Sequence, residues 1–174
     1  MRKVAVVTSA SGSGGTTVGR EIARRLGVPF YELDALFWKP GWAKSTPDEL
    51  RDAVEPIVAT DEWVLDGSYQ SLIGQLVLES ADTVVWVDLP MRTWLPRLVR
   101  RTVARWWTGE ELWAGNRESV RTAFLSRDSL LLFTLRHFRA RQRTYPERFA
   151  GYRVARLRSP REIERFLMSV GRET

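Results

Sequence analysis

Residues 9–17 read S-A-S-G-S-G-G-T-T and have the composition of a loop that binds phosphate groups. They follow a short apolar run, V-A-V-V at residues 4–7, and precede apolar residues at helical spacing, Val18, Ile22 and Leu26. Glycines let successive backbone N–H groups of such a loop point inward, and the positive end of the following helix attracts anions. A glycine-rich turn without a ligand is the alternative. The strand before the loop and the helix after it favour phosphate binding.

The phosphate-binding pattern G-x-x-x-x-G-K-[ST] shows which groups of this loop are present and which one is missing. Aligned with it, the chain has Ser9 for the first glycine, Gly14 for the second, Gly15 for the lysine and Thr16 for the hydroxyl that ligates magnesium. The backbone cradle is therefore present, whereas the cation that reaches the outer phosphates is absent. The residues predicted to bind nucleotide phosphates are Ser11, Gly12, Ser13, Gly14, Gly15, Thr16 and Thr17.

Acidic side chains follow three of the predicted strands, as Asp34, Asp66 and Asp88. Ligands of open parallel sheets bind outside the carboxyl ends of the strands. We therefore predict that Thr16 ligates Mg²⁺, which prefers oxygen ligands, and that Asp66 holds a metal-bound water opposite Thr16. We predict that Asp34 orients or deprotonates an acceptor hydroxyl. Capping of the next helix is the alternative for Asp34 and Asp66, and it is the role expected of Asp88.

Aromatic residues at 37, 38 and 42 are candidates for the wall of an acceptor pocket, and plain core packing is the alternative for each. The residues predicted to bind the acceptor are Asp34, Phe37, Trp38, Gly67 and Tyr69.

Strand and helix patterns alternate along the chain, which predicts an α/β fold of three layers around a parallel sheet. We predict strands at residues 3–8, 29–33, 63–66, 83–87 and 152–157. We predict helices at residues 16–26, 47–59, 91–107 and 160–170. The long segment between the fourth and fifth strands contains a polar, glycine-bearing turn, and residues 106–127 are predicted to form a helical lid over the phosphate site. At 174 residues, the chain is expected to form a single domain, 1–174.

The composition limits the compartment and the partners. The chain has no cysteine, which suits the reducing cytoplasm, and its apolar runs are too short to span a bilayer. The first residues lead directly into a strand, so no signal peptide is expected. The net charge of +6 comes mainly from arginine, since only three of the 27 basic residues are lysine. Part of this charge covers solvated helix faces, and part suits a partner with phosphate groups.

Three further segments carry a resemblance to a known family. Residues 33–42, 62–69 and 81–90 read L-D-A-L-F-W-K-P-G-W, E-W-V-L-D-G-S-Y and A-D-T-V-V-W-V-D-L-P. Together with the loop and the lid insertion, they resemble the adenylate-kinase-like branch of P-loop kinases, in particular the bacterial adenylate-kinase-related proteins labelled "DNA topology modulation". The resemblance covers nearly the whole chain. It implies a P-loop kinase fold with strand order 2-3-1-4-5, a mobile lid, and Mg²⁺ and ATP as cofactor and phosphoryl donor.

The resemblance also implies roles for several arginines. By analogy with nucleoside monophosphate kinases, Arg97 or Arg101 would stack near the adenine, and the base would lie close to residues 158–160. The candidate lid cations, which would contact the transferring phosphoryl group and replace the missing lysine, are Arg117, Arg121 and Arg127. Adenylate kinases have an arginine after the Asp-Gly pair that holds the acceptor phosphate, and this chain has Ser68 there. The acceptor is therefore another nucleotide, such as a different nucleoside monophosphate, or an unrelated hydroxyl compound.

Three functions are compatible with these residues. The first is an ATP- and Mg²⁺-dependent phosphotransferase that acts on a small acceptor, and it is the one we favour. The second is a nucleotide-binding regulatory module that has lost catalysis with the lysine. The third, binding of nucleic acid, is suggested by the net charge and is not expected. No membrane partner is expected.

Overall fold

The structure, a computed structural model, describes residues 1–67, 69–117 and 130–171. Its centre is a sheet of five parallel strands: β1 (Lys3–Thr8), β2 (Phe30–Glu32), β3 (Trp63–Asp66), β4 (Thr83–Val87) and β5 (Val154–Leu157). The strands lie in the order β2-β3-β1-β4-β5, and every neighbouring pair is parallel. The predicted α/β class and the predicted order 2-3-1-4-5 are confirmed.

Eight helices within the described residues surround the sheet. They are α1 (Gly15–Leu26), α2 (Leu33–Phe37), α3 (Pro47–Ala59), α4 (Gln70–Ile73), α5 (Leu76–Glu79), α6 (Met91–Thr108), α7 (Leu130–Arg148) and α8 (Pro160–Ser169). The four predicted helices correspond to α1, α3, α6 and α8 within one residue at each end. Side-chain caps explain where two of these helices begin. Thr46 and Glu49 form a capping box before α3, and Ser159 accepts a hydrogen bond from the Glu162 N–H before α8.

The sheet is covered on both faces, which gives the three predicted layers. Alternate strand residues such as Ala5, Val7 and Trp86 pack against α3 and α7. The residues between them, such as Val4 and Val6, pack against α1 and α8. Burial on both faces explains why the strands are almost continuously apolar rather than alternating.

A third apolar cluster places α6 beside the loop that joins β1 to α1. Trp94 and Leu98 of α6 pack against Ala10 of this loop and against Phe138 of α7. A Cβ atom at Gly12 would lie only 2.8 Å from the Trp94 carbonyl oxygen and 2.9 Å from Leu98 Cβ. Since real Cβ atoms do not approach other atoms so closely, the loop needs a glycine where α6 crosses it.

The structure differs from the sequence-based prediction in the connections. The second strand ends at Glu32 instead of residue 33, because Leu33 begins the five-residue helix α2. An antiparallel hairpin of Trp38–Lys39 and Ala43–Lys44 follows it. The fifth strand begins at Val154 instead of residue 152. Elements this short contain too few residues to show a periodic pattern of apolar side chains. Their conformation therefore depends on contacts with the rest of the fold.

The predicted lid, residues 106–127, is only partly described. Its beginning is the end of α6 and the segment up to Arg117, while residues 118–129 lie outside the described residues. Among the described helices, none is both long enough and apolar enough to cross a bilayer.

Candidate functional site

The phosphate loop, residues 9–14, leaves β1 and turns directly into α1. Gly12 and Gly14 have φ values of 84° and 86°, in the left-handed region that favours glycine. Helix α1 begins at Gly15, and no side chain caps its N-terminus. The first N–H groups of a helix have no partner within the helix, so this terminus presents donors and a partial positive charge to the mouth of the loop. The geometry is that of an anion-binding site.

Ser9, which stands where the pattern has its first glycine, attaches the loop to the sheet. Its buried hydroxyl donates to Asp88 Oδ1 at 2.7 Å and accepts from Trp86 Nε1 at 2.8 Å. Asp88 also accepts from Arg156 at 2.6 Å and from Gln142 at 3.0 Å. A buried carboxylate with these donors is fully hydrogen-bonded and holds the start of the loop in place.

The expected capping role of Asp88 is therefore wrong. Pro90 precedes α6, and no side chain caps that helix. A serine in place of the first loop glycine is the one signal for this contact in the sequence, and it predicts no role by itself. The partners of Ser9 are nearly 80 residues away in the chain, so only the fold could identify them.

The space around Gly15, where the pattern has its lysine, is closed. A Cβ atom at Gly15 would lie 2.6 Å from Thr8 Cγ2 and 2.8 Å from Asp66 Oδ1. Both distances are below the 3.0 Å limit of real Cβ contacts. The chain therefore lacks the lysine, and any side chain at this position would require Thr8 and Asp66 to shift.

Thr16 and Asp66, the predicted magnesium pair, lie in direct contact. Thr16 Oγ1 donates to Asp66 Oδ2 at 2.7 Å. The alternative role of Asp66 as a helix cap is wrong, since α4 begins at Gln70 and has no side-chain cap. A hydroxyl and a carboxylate at the first turn of α1 are the oxygen donors that suit Mg²⁺ together with nucleotide phosphates. In the described part of the chain, no three acidic or histidine side chains form a cluster that could hold a metal ion.

The pKa of Asp66 is raised to about 7. Burial is the largest cause, and the charges of Asp34 and Glu32 act in the same direction. The hydrogen bond from Thr16 and the charge of Arg20 lower it in part. The magnesium pair therefore contains a carboxyl group that is partly protonated at neutral pH.

Asp34 is held by the hydroxyl of Tyr69, which donates to its Oδ1. Burial raises the pKa of Asp34, and the hydrogen bond from Tyr69 lowers it. Glu32 raises this pKa further, whereas Arg101 lowers it. Asp34 lies within α2, and that helix has no side-chain cap, so the capping alternative is wrong. The predicted residues Asp34 and Tyr69 are thus brought together, next to the acidic end of β2.

Aromatic rings extend from Tyr69 along the hairpin. The ring centroids of Tyr69 and Phe37 are 4.6 Å apart, those of Phe37 and Trp38 are 4.9 Å apart, and those of Trp38 and Trp42 are 5.3 Å apart. Phe37 is buried and belongs to the main core, as its alternative interpretation held. Trp38, Trp42 and Tyr69 are half-buried, so these three rings remain open to a ligand.

Backbone strain is concentrated in the same region. Within the described residues, the non-glycine residues with positive φ are Trp42, Tyr69 and Ala114, at 60°, 36° and 56°. Side chains disfavour this conformation, and such residues cluster at functional sites where the surroundings hold them. Gly67, with φ of 117°, lies close to Leu33, where a Cβ atom would be 3.0 Å from that residue's Cβ. Gly67 therefore lies closely against Leu33 at the start of α2.

The described end of the lid packs on the hairpin. Asn116 is buried, accepts from the Trp42 N–H at 2.9 Å and donates to the Lys39 carbonyl oxygen at 2.9 Å. Trp113 Nε1 donates to Glu32 Oε2 at 3.1 Å. Residues 113–116 thus bridge the hairpin and the end of β2.

The predicted arginines have different surroundings. Arg117 is exposed and pairs with Glu111 at 2.7 Å. Arg97 lies exposed on α6, one residue before Leu98, which contacts the loop. Arg101 follows one turn later, within electrostatic reach of Asp34. Arg121 and Arg127 lie outside the described residues.

The remaining residues predicted to bind phosphate lie in the loop or in the first turn of α1, and their contacts indicate no particular ligand. Ser13 is buried, and its N–H donates to the Ala10 carbonyl oxygen at 3.3 Å. Ser11 is half-buried, and Thr17 is exposed in the first turn of α1.

Comparisons with known proteins identify the fold. No family model matches the chain, and no curated protein matches it. Similar solved structures include shikimate kinase from Bacteroides thetaiotaomicron, with 17% identity, coverage of 97% of this chain and 95% of that chain, and a TM-score of 0.53. A gluconokinase from Sinorhizobium meliloti 1021 has 22% identity, coverage of 99% and 88%, and a TM-score of 0.51. Deoxyadenosine kinase from M. mycoides with bound dATP has 13% identity, coverage of 95% and 97%, and a TM-score of 0.53. The chain has the fold of P-loop kinases, and the narrower resemblance to the "DNA topology modulation" proteins stays a prediction.

A substitution at Gly15 tests whether the lysine space is closed. Alanine favours helix over glycine by about 1 kcal/mol at an unobstructed position. We expect Gly15→Ala to destabilise the nucleotide-free protein by about 1–3 kcal/mol instead, because its Cβ would overlap Thr8 and Asp66. Urea denaturation measures the difference. Thr17→Ala, at an exposed site in the same turn, is the control and should change stability by less than about 0.5 kcal/mol. A Gly15→Ala protein as stable as the wild type would contradict the closed space.

The stability of the nucleotide-free protein should fall as the pH rises from 5 to 8. The carboxyl group of Asp66 has a pKa of about 7 in the folded state against an ordinary value of 3.8. The folded state therefore binds a proton that the unfolded chain has released, and stability decreases with pH by up to about 1.4 kcal/mol per unit. Asp34, with its raised pKa, contributes in the same direction. Glu21 and Glu49, with pKa values lowered from 4.5 to about 2, act in the opposite direction near pH 5, and their contribution vanishes above about pH 6 because they are then ionised in both states.

Denaturation midpoints at pH 5, 6, 7 and 8 provide the measurement. Asp66→Asn should remove most of the slope. Asp82→Asn removes a carboxyl group whose pKa is lowered, so it should keep the slope. A wild-type stability that rises across this range would show that the folded state does not hold the extra proton.

Proposed function

We propose that the chain is a Mg²⁺-dependent phosphotransferase that moves the terminal phosphoryl group of ATP to a hydroxyl group of a small acceptor. The observation that carries the proposal is the 2.7 Å contact between Thr16 and Asp66 at an uncapped helix N-terminus. This contact would place the hydroxyl and the carboxylate that hold magnesium beside the backbone donors that would bind phosphate. The fold, shared with proteins named as shikimate kinase, gluconokinase and deoxyadenosine kinase, supports this interpretation.

The donor nucleotide would lie along the loop and α6. The N–H groups of residues 11–17 would bind its phosphate oxygens, with Arg97 near the adenine and the base close to residues 158–160. Thr16 Oγ1 and the Asp66 carboxylate would hold Mg²⁺, which when bound offsets the negative charge of the phosphate oxygens. Because a metal ligand must be ionised, binding at Asp66 would release a proton near neutral pH.

Asp34 would orient the acceptor hydroxyl and accept its proton. A carboxyl group with a raised pKa is a better base at neutral pH than an ordinary one, and burial raises the pKa of Asp34. Tyr69 fixes the carboxylate through its hydrogen bond. The half-buried rings of Trp38 and Trp42 would wall the acceptor, and Gly67 lies close to Leu33.

The charge of the missing lysine would come from an arginine outside the loop. Arg101 is our first candidate, since it lies on the helix that contacts the loop and its charge already reaches Asp34. Arg117, Arg121 and Arg127 are candidates in a closed lid. The pair of Arg117 with Glu111 is exposed, and exposed ion pairs contribute about 0–1 kcal/mol, so closure could break it readily.

Nucleotide binding tests the magnesium pair. Titration calorimetry should detect ATP binding that becomes tighter with Mg²⁺. Asp66→Asn and Thr16→Ala should each remove most of the Mg²⁺ enhancement and leave metal-free binding nearly unchanged, because they change the metal ligands and not the backbone donors. Asp48→Asn, on the exposed start of α3, is a matched control that should keep the enhancement. No detectable affinity for ATP with Mg²⁺ would refute the proposal.

Turnover tests the substitute cation. Arg101→Ala should lower kcat for ADP release by about 10²–10³-fold, the usual effect of removing one well-placed charge from a phosphoryl-transfer site. Arg100→Ala, exposed on the same helix, is the control and should change kcat less than about threefold. If Arg101→Ala keeps wild-type turnover, alanine variants of Arg117, Arg121 and Arg127 decide whether a lid arginine supplies the charge.

The closed space at Gly15 favours a second candidate function, a nucleotide-binding regulatory module without catalysis. Such a module would bind ATP with Mg²⁺ but release no ADP with any acceptor. Its residual ATP hydrolysis would also be insensitive to Asp34→Asn. An enzyme, in contrast, should lose acceptor-dependent ADP release in the Asp34→Asn protein.

A further inference from the structure

The hairpin that carries Trp38 and Trp42 is too small to hold its own shape. It pairs Trp38–Lys39 with Ala43–Lys44, and an isolated two-stranded ribbon is marginally stable in water even when it is longer. Its turn places Gly41 and Trp42 in the left-handed region, at φ values of 70° and 60°. A tryptophan keeps this conformation only where its surroundings hold it. The hairpin therefore depends on contacts from outside.

Asn116 supplies such contacts through every group of its side-chain amide. Its Oδ1 accepts from the Trp42 N–H at 2.9 Å. Its Nδ2 donates to the Lys39 carbonyl oxygen at 2.9 Å and to the Trp113 carbonyl oxygen at 2.8 Å. The reverse orientation of the amide would set Nδ2 against the Trp42 N–H, donor against donor, so the contacts fix the orientation. Asn116 is 5% exposed, and a buried amide with both donors and its acceptor engaged is held rigidly.

Two further hydrogen bonds join the same segment to the hairpin and to the sheet. Trp42 Nε1 donates to the Arg117 carbonyl oxygen at 3.2 Å. Trp113 Nε1 donates at 3.1 Å to Glu32 Oε2, at the end of β2. Residues 113–117 therefore fix the hairpin relative to the strand end that leads into α2.

The ring of Trp42 stands at the outer end of the row of aromatic rings. Its centroid lies 5.3 Å from that of Trp38. The row continues through Phe37 to Tyr69, whose hydroxyl donates to Asp34. A ring that walls a binding site contributes most when it is fixed in advance, because no ordering of the ring then opposes binding. The contacts described above act on the backbone of Trp42 and so fix the direction in which its ring leaves the turn.

We propose that Asn116 is a positioning residue for the acceptor. It holds Trp42 in its strained conformation and thereby sets the outer wall of the acceptor space before any ligand binds. The inference rests on the proposed phosphotransferase function. Because Asn116 acts through Trp42 and not on the reacting atoms, its loss should raise KM for the acceptor and leave kcat nearly unchanged.

Hydrogen exchange of the Trp42 amide tests the structural part of the proposal and needs no acceptor. In protein labelled with ¹⁵N-tryptophan, the Trp42 signal is identified by its absence from the Trp42→Gly protein. Asn116→Ala should speed exchange of this amide by at least about tenfold, because it removes the acceptor of that N–H. Lys44→Ala, exposed on the same hairpin, is the control and should leave the rate unchanged. An equal rate in the wild type and in Asn116→Ala overturns the proposal.

Acceptor kinetics test the functional part. ADP release is measured at saturating ATP and Mg²⁺ with the best acceptor from a panel of nucleosides, nucleoside monophosphates and hexoses. Asn116→Ala should raise KM for this acceptor about tenfold, with kcat within about threefold of the wild-type value and an unchanged affinity for ATP. Lys44→Ala should keep both constants. A fall in kcat without a rise in KM, or no change in either, would show that Asn116 does not position the acceptor.

A double variant shows whether Asn116 acts through Trp42. Trp42→Gly removes the ring, and glycine adopts a φ of 60° without strain. If Asn116 only positions that ring, Asn116→Ala should add less than about twofold to the KM of the Trp42→Gly protein. A full tenfold rise on adding Asn116→Ala would show that this residue acts elsewhere.

The failure of this inference is distinguishable from failure of the proposed function. If an acceptor is phosphorylated and Asn116→Ala changes neither its KM nor the exchange of the Trp42 amide, the phosphotransferase assignment stands and only the positioning role is wrong. If ATP binds with Mg²⁺ but no compound of the panel stimulates ADP release, the phosphotransferase function fails and the positioning role fails with it, whatever the exchange rates.

Discussion

The close approach of β1, β3 and the first turn of α1 is the constraint on which the site depends. Thr8 and Asp66 leave no space for a side chain at Gly15, and Asp66 binds Thr16 from the same position. Parallel pairing of β3 with β1 puts these residues side by side at the carboxyl edge of the sheet. One arrangement thus crowds the position of the missing lysine and brings Thr16 and Asp66 into contact.

Two rigid supports hold the phosphate loop in place. Trp94 and Leu98 of helix α6 lie directly against the backbone of Gly12. The hydroxyl of Ser9 is bound within a buried polar network around Asp88. Buried networks of this kind are stable only when every polar group has a partner, and the carboxylate of Asp88 meets this condition with donors from β5 and α7. The loop backbone is therefore preorganised, which suits a site that acts mainly by position and charge.

The electrostatics of the site divide it into two parts. On the donor side, helix N–H groups and the arginines of α6 provide positive potential for phosphates. At the ends of β2 and β3, the pKa values of Asp34 and Asp66 are raised, mainly because both carboxyl groups are buried and in part because neighbouring carboxylates repel their charge. The two parts meet at Asp66, whose charge state depends on the neighbouring carboxylates and on its hydrogen bond to Thr16.

The sequence alone determined the class of fold, the strand order implied by the family resemblance, the phosphate loop and the pairing of Thr16 with Asp66. These features depend on local patterns: apolar runs, glycine positions, and acidic residues that directly follow strands. The closed space at Gly15, the attachment of Ser9 to Asp88, and the gathering of Glu32, Asp34 and Asp66 were decided only by the tertiary structure. Each of these features joins residues that lie on or next to different strands, in most cases tens of positions apart in the chain. The distances between them follow from sheet register and helix packing, which no local sequence pattern encodes.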